Sequence, residues 1–269
     1  SLIIGVRDPD TRGFSVVRIS VTRSTHIDDD LQDEHSLRRT ADDGEEGNAN
    51  AIANIRRHLR NVMEEVHTRW WDGSNQTSTI VWTFPHYGEQ NIKVFAPSFL
   101  LGSLIHTVQD SFTHMLRDED ARIVHVMNFV EASTYGVVEN RDGFAHSERL
   151  DQCFVYEDTF DSLRVSLARN ASSQVLQAVS QILNEEGFDD SVFVETLDGI
   201  YDLRTGCNQS NKYCDNGWVD TAREIQSEPV DISILGCDVD AGGPNKRPAW
   251  TATVLMATLY LLLLARRRS

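Results

Sequence analysis

The chain has 269 residues, with 41 Asp and Glu against 25 Lys and Arg, for a net charge of −16. That balance excludes a generic nucleic-acid-coating protein, because phosphate contacts need clustered Lys and Arg. It leaves standing an enzyme that meets phosphate through a metal ion. A hydrophobic share of 40% excludes wholesale disorder, and the length suffices for one large domain or two small ones.

Ser1–Val21 offers an apolar start, an acidic turn at Asp8-Pro9-Asp10, and the alternating SVVRISV, which suggests a short strand. Asp8 or Asp10 would cap that turn. Arg23–Arg39 holds His26, the solvated acidic run Asp28–Asp30, and His35. Helix-start residues at Asp42–Asn50 lead into Ala51–Trp71, where Ile52, Ile55, Leu59, Val62, Met63, Val66 and Trp70 recur at helical spacing. This is an amphipathic helix on the core, with His58 and His67 beside its charged face as surface residues. Thr77–Phe84 and Ile92–Ala96 are β-prone and flank PHYGEQN, which predicts a hairpin insertion with His86 at its tip.

The stretch that organises the chain is Pro97–Leu116, in which His106, Asp110 and His114 recur every four residues. On a helix each such step advances about 40°, so the three would form one row. Leu101, Leu104, Ile105, Val108, Phe112 and Met115 lie opposite, and no Lys, Arg or Glu occurs between Phe95 and Arg117. A helix without a charged solvated face is buried on most sides. Buried imidazoles and carboxylates are paired with each other or bound to metal. A hydrogen-bonded His–Asp–His cluster that only specifies the core is one reading. A zinc site completed by a further His or Asp is the other, and the apolar flanks favour it.

After a charged segment, Arg117–Arg122, Ile123–Ser133 reads as a short helix. Gly136–Cys153 carries His146 and, in a helical stretch, Asp151. Arg164–Leu183 and Val192–Arg204 are further amphipathic helices, and Gly217–Ile225 adds a turn or two. Cys153 reads as a buried thiol. Cys207 and Cys214, in CNQSNKYC, would close as a disulfide in an exported protein; metal binding by the pair is the alternative. The organisation expected is a helical metal-binding domain over 1–228, a Gly/Pro/Asp-rich linker over 229–248 and a hydrophobic tail over 249–269. Ala249–Ala265 is an uncharged run of 17 residues. As a helix it reaches about 25 Å, the short limit for a membrane span. Arg266–Arg268 would lie on the cytoplasmic side and the body outside; a buried core helix is the alternative. That topology requires an export signal, so the native chain is expected to carry residues ahead of Ser1.

Cys237, Gly242-Gly243-Pro244, the apolar run and the terminal arginines together resemble the C-terminal sorting signals of myxobacterial surface proteins. That resemblance implies processing and lipid attachment at Cys237. The His106/Asp110/His114 segment, opened by Leu101-Gly102, together with GFAHSERLD at Gly143–Asp151, resembles the zinc-dependent phospholipase C and single-strand nuclease superfamily. The N-terminal domain of glycosylphosphatidylinositol-specific phospholipase D is similar to it too. The resemblance implies a mainly α, multi-helix bundle, here with a small β-hairpin insertion and a C-terminal hydrophobic helix. It implies two or three zinc ions and hydrolysis of phosphodiesters by metal-bound hydroxide. Carried over, His106, Asp110, His114 and His146 are metal ligands. Leu150 stands where the family places a carboxylate, a role that passes to Asp151 or is lost. Asp10 and His35 fit the family's upstream Asp and His, with Asp72 and His86 as the rival pair. The family's first His is His26 or lies ahead of Ser1. Asp10 or Asp8 would orient the attacking water or accept its proton.

The expected protein is an exported, surface-anchored zinc phosphodiesterase. Its acidic surface favours lipid headgroups or small diesters over long nucleic acid, with the membrane met through the tail. A non-catalytic, metal-stabilised helical surface or partner-binding protein is the alternative. A protease is disfavoured by the lack of His-Glu-x-x-His and Gly-x-Ser-x-Gly.

Overall fold

A computed structural model describes residues 1–13, 28–84, 87–128, 159–214 and 217–220. The described chain is mainly helical, with two small two-stranded sheets. Helix α1 is Leu2–Thr11, and a 3-10 turn follows at Asp29–His35. Helix α2, Gly44–Trp71, starts where the Asp43 carboxylate accepts from the Gly44 amide and Glu45 and Glu46 fill the first turn, as the positive end of a helix favours. Its Ile52, Ile55, Leu59, Met63 and Val66 are buried. The predicted hairpin is present: β1 (Thr77–Phe84) pairs antiparallel with β2 (Gly88–Phe95), from Thr77↔Phe95 to Phe84↔Gly88. Helix α3 (Ala96–Asp110) follows directly, with a proline in its first turn where the lost N–H costs nothing. A second hairpin joins β3 (Met115–Arg117) to β4 (Ile123–Val126). Helices α4 (Thr159–Ile182) and α5 (Ser191–Ile200) come next, then a kinked 3-10 turn at Gln209–Cys214.

The main core gathers Ile55, Leu59 and Met63 of α2, Leu101, Leu104 and Val108 of α3, Val175 and Val179 of α4, and Phe193 and Leu197 of α5. Helix α3 is its axis, packed by α1, α2, α4 and the first 3-10 turn. The crossing of α1 and α3 depends on two glycines. A Cβ on Gly5 would run into the Phe99 carbonyl, and one on Gly102 into the Leu2 carbonyl and the Val6 amide. The first hairpin braces both ends of α1: the Phe95 amide donates to Ser1 Oγ (2.8 Å) and the Thr83 amide to the Gly13 carbonyl (2.6 Å). A smaller cluster of Leu37, Leu116, Val124, Met127, Cys207, Tyr213 and Val219 lies under β3–β4. Cys207 and Cys214 are bonded, as one of the two readings expects.

Five local expectations are corrected. Asp8-Pro9-Asp10 is helical, inside α1, rather than a turn. The central helix ends at Asp110, so Met115 and Leu116 lie in a strand. Ile123–Val126 is a strand, not the start of a helix, because its IVHV sequence pairs with Met115–Arg117 and the Ile123 amide donates to the Asp202 carbonyl (2.8 Å). Helix α5 stops at Ile200, since Leu203 bridges Ile123 and the Arg204 amide donates to the Ile123 carbonyl. His67 is buried too: its Nε2 lies 3.1 Å from the Glu185 carbonyl oxygen and its ring packs on Phe188. The linker and the tail with Cys237 and Ala249–Ala265 lie outside the described residues, as do SVVRISV and Cys153. Among the described residues, no helix is long and apolar enough to cross a membrane.

Candidate metal centre

Three separate segments bring four donor atoms together. Asp10 comes from the last turn of α1, His35 ends the first 3-10 turn, and His106 and Asp110 stand one turn apart on α3. His106 Nε2 lies 3.0 Å from Asp110 Oδ2, 3.4 Å from His35 Nδ1 and 3.5 Å from Asp10 Oδ1. His35 Nδ1 lies 3.3 Å from Asp110 Oδ2 and 3.7 Å from Asp10 Oδ1. All four atoms fall within 4.8 Å of one another. A tetrahedral ion with bonds of about 2.0–2.1 Å sets its ligand atoms about 3.3–3.4 Å apart, and the five stated separations scatter around that value. Two imidazoles and two carboxylates are also the donor chemistry that zinc accepts. The quartet could therefore hold a metal ion.

Electrostatics point the same way. The side chains of His35 and His106 are 0% and 7% exposed, whereas Asp110 is 16% and Asp10 36% exposed. Burial works against a charged His106 imidazole, yet Asp110 and Asp10 outweigh it and push its pKa up to about 10. Burial would raise the Asp110 carboxyl, but His106, His35 and His114 hold it far below the usual carboxylate range. The cluster thus favours positive charge between its carboxylates, whether a proton on His106 or a bound cation.

The walls of the site come from longer-range bonds. Arg12, just past α1, donates to Glu34 Oε2 (2.6 Å) and ties α1 to the 3-10 turn. Thr107 Oγ1 donates to the Glu34 carbonyl (2.7 Å), and Ser36 Oγ donates to the Thr107 carbonyl (2.7 Å). Tyr201 Oη sits 3.4 Å from both Ser36 Oγ and the Thr107 oxygen, and its burial pushes the phenol up to about 12. Sequence reasoning passed over Ser36, Thr107 and Tyr201. Thr107 stands next to His106 and Ser36 next to His35, which is the only signal the sequence offered; Tyr201 offered none.

Of the sequence-predicted ligands, Asp10, His35, His106 and Asp110 converge. His114 does not continue their row, because α3 has ended. Its Nδ1 lies 2.5 Å from the His35 carbonyl oxygen and 3.9 Å from Asp110 Oδ2. Asp72 ends α2 and accepts from the Ser74 amide and hydroxyl and from Asn75 Nδ2, a local turn outside the quartet. Asp8 stays outside the quartet on the same helix as Asp10; burial raises its carboxyl against the pull of Arg12. His26, His86, His146 and Asp151 lie outside the described residues. Comparison of the chain with protein-family models, curated proteins and solved structures finds no match.

Proposed function

We propose that the chain is a zinc-dependent phosphodiester hydrolase of the phospholipase C type, exported and held at the cell envelope by its C-terminal tail. One observation carries this reading: the convergence of Asp10, His35, His106 and Asp110. They comprise two of the three central-helix residues that the family resemblance selects as ligands, without His114, and its preferred upstream pair. Bound zinc supplies Lewis acidity toward phosphate oxygens and makes water acidic enough to act as a nucleophile near neutral pH. His35 and His106, buried, fix the donor geometry. Asp110, whose Oδ2 lies 3.0 and 3.3 Å from the two ring nitrogens, would complete the donor set with them. Asp10, the most exposed of the four side chains, stands where solvent and substrate would arrive and is placed to orient water or accept its proton. A lipid headgroup or small diester suits a protein of charge −16 better than a long polyanion. Two or three ions, with His114, His146 and Asp151 as further ligands, belong to the same proposal.

A second reading is a metal-stabilised surface protein without catalysis. Four protein donors already fill a tetrahedral ion, as closed structural sites do, and Leu150 occupies the place of a family carboxylate. Zinc content of the purified full-length chain, measured by elemental analysis, decides the metal: less than about one equivalent, unchanged in His106→Ala, removes both readings. Hydrolysis of phosphatidylcholine vesicles and of bis(p-nitrophenyl) phosphate, lost in Asp110→Asn, supports the enzyme. A zinc-loaded protein inert toward every diester supports the second reading. Turnover of single-stranded DNA far above both other substrates overturns the substrate preference.

A further inference from the structure

His35 is a demanding residue to place. It ends a 3-10 turn of seven residues, Asp29–His35, which has no fold of its own to aim a ring at another segment. Its Nδ1 nevertheless meets the His106 nitrogen at 3.4 Å, and its side chain has no exposed surface. A single residue of α3 holds both of its neighbours in sequence. Thr107 donates its hydroxyl to the carbonyl of Glu34 at 2.7 Å, while its own carbonyl accepts from the hydroxyl of Ser36 at 2.7 Å. Thr107 and Ser36 are fully buried, each showing 0% of its surface. Ser36 takes the left-handed conformation (φ 52°) that stops the 3-10 turn and turns its side chain onto α3. The Thr107 carbonyl lies in the last turn of α3, where carbonyls are running out of helical partners. Its helical bond from the Ser111 amide is long, 3.3 Å, whereas the bond from Ser36 is short. The helix therefore ends where a carbonyl has been committed to the segment carrying His35.

We infer that Thr107 and Ser36 are positioning residues of the metal centre, whose reciprocal bonds fix the distance between His35 and His106 at the separation a tetrahedral ion requires. This rests on the metal reading above. Both hydroxyls are spent on backbone carbonyls beside the ligands, so both act through the ligand next to them. Losing such an outer bond typically weakens metal binding about 10–100-fold.

The test uses the full-length chain, freed of metal and then titrated with zinc against a chromophoric chelator, and separately with cobalt(II), whose visible absorption reports tetrahedral coordination. Thr107→Val and Ser36→Ala are expected to weaken zinc binding about 10–100-fold and to reduce the tetrahedral cobalt bands, with Thr107→Ser restoring both because it keeps the hydroxyl. Thermal unfolding of the metal-free variants separates this from a general loss of stability. Variants that melt lower yet bind zinc and colour with cobalt like the wild type overturn the inference and leave the metal centre intact. A wild-type chain that takes up neither ion overturns the centre and the inference together. Should Thr107→Val not fold, Ser36→Ala decides between these results.

Discussion

Two buried histidines sit in opposite surroundings. His106 on α3 and His125 on β4 are 6% and 2% exposed. Around His106, carboxylates from two segments converge and the imidazolium is favoured. Around His125 burial comes first, the Arg38 guanidinium adds to it, the ring of Tyr213 packs at 4.9 Å, and the pKa falls well below 6.5. Burial is common to both and therefore does not mark a metal site. What sets His106 apart is the carboxylate oxygens within reach of its ring nitrogen, which offset the cost of desolvation by favouring positive charge there.

That contrast can be broken from either side. The largest effect is expected at the quartet. Zinc at roughly a thousand times its Kd should stabilise the full-length chain by about 4 kcal/mol, and Asp110→Asn should abolish the gain. Calorimetry with and without chelator checks it, and an equal zinc-dependent gain in the variant would refute the quartet as ligand set. Next comes the disulfide beneath His125, which spans a sequence separation of 7. Replacing both cysteines with serine should cost about 2–3 kcal/mol in urea unfolding. Zinc affinity should stay at the wild-type value, since no donor comes from that side. Gly102→Ala probes the opposite side. Forcing α1 away from α3 should cost about 1–3 kcal/mol, and here zinc binding should weaken as Asp10 retreats.

The smallest effect is acid sensitivity. The unfolded chain takes up a proton near pH 6.5 that folded His125 refuses, so its contribution is intact above pH 6.5 and declines below it. One proton corresponds to about 1.4 kcal/mol per pH unit. In His125→Phe the loss of stability between pH 7.5 and 5.5 should shrink by an amount of that order. Identical losses in both proteins would mean that His125 takes its proton while folded.

Much of this was readable in advance where a pattern repeats. The apolar spacing of Ile52 to Val66 specified α2, the β-prone runs around Tyr87 specified the first hairpin, and the polar loop between Cys207 and Cys214 suggested their bond. His67 follows Met63 by four residues and Leu59 by eight, so its burial was legible and was missed. The order of Asp10 and His35 before the central helix selected two of the four donors. The end of α3 left no local mark, because Ser111–His114 holds neither glycine nor proline. What stops it comes from far along the chain: Ser36 bonds the Thr107 carbonyl, and His114 turns to the backbone of His35. Pro9 misled in the other direction. Beside two aspartates it reads as a turn, whereas packing of α1 on α3 keeps it helical.

The donors lie far apart in sequence, from residue 10 through residue 35 to residue 110, and this has a kinetic consequence. Closing loops of that length costs entropy before any coordination bond rewards it. An ion would be less able to seed assembly here than in small fingers whose ligands are near neighbours. It would enter last, onto helices already docked, and lock shut what tertiary packing had built. Uptake of metal during refolding would then serve as a clock for the arrival of the first helix.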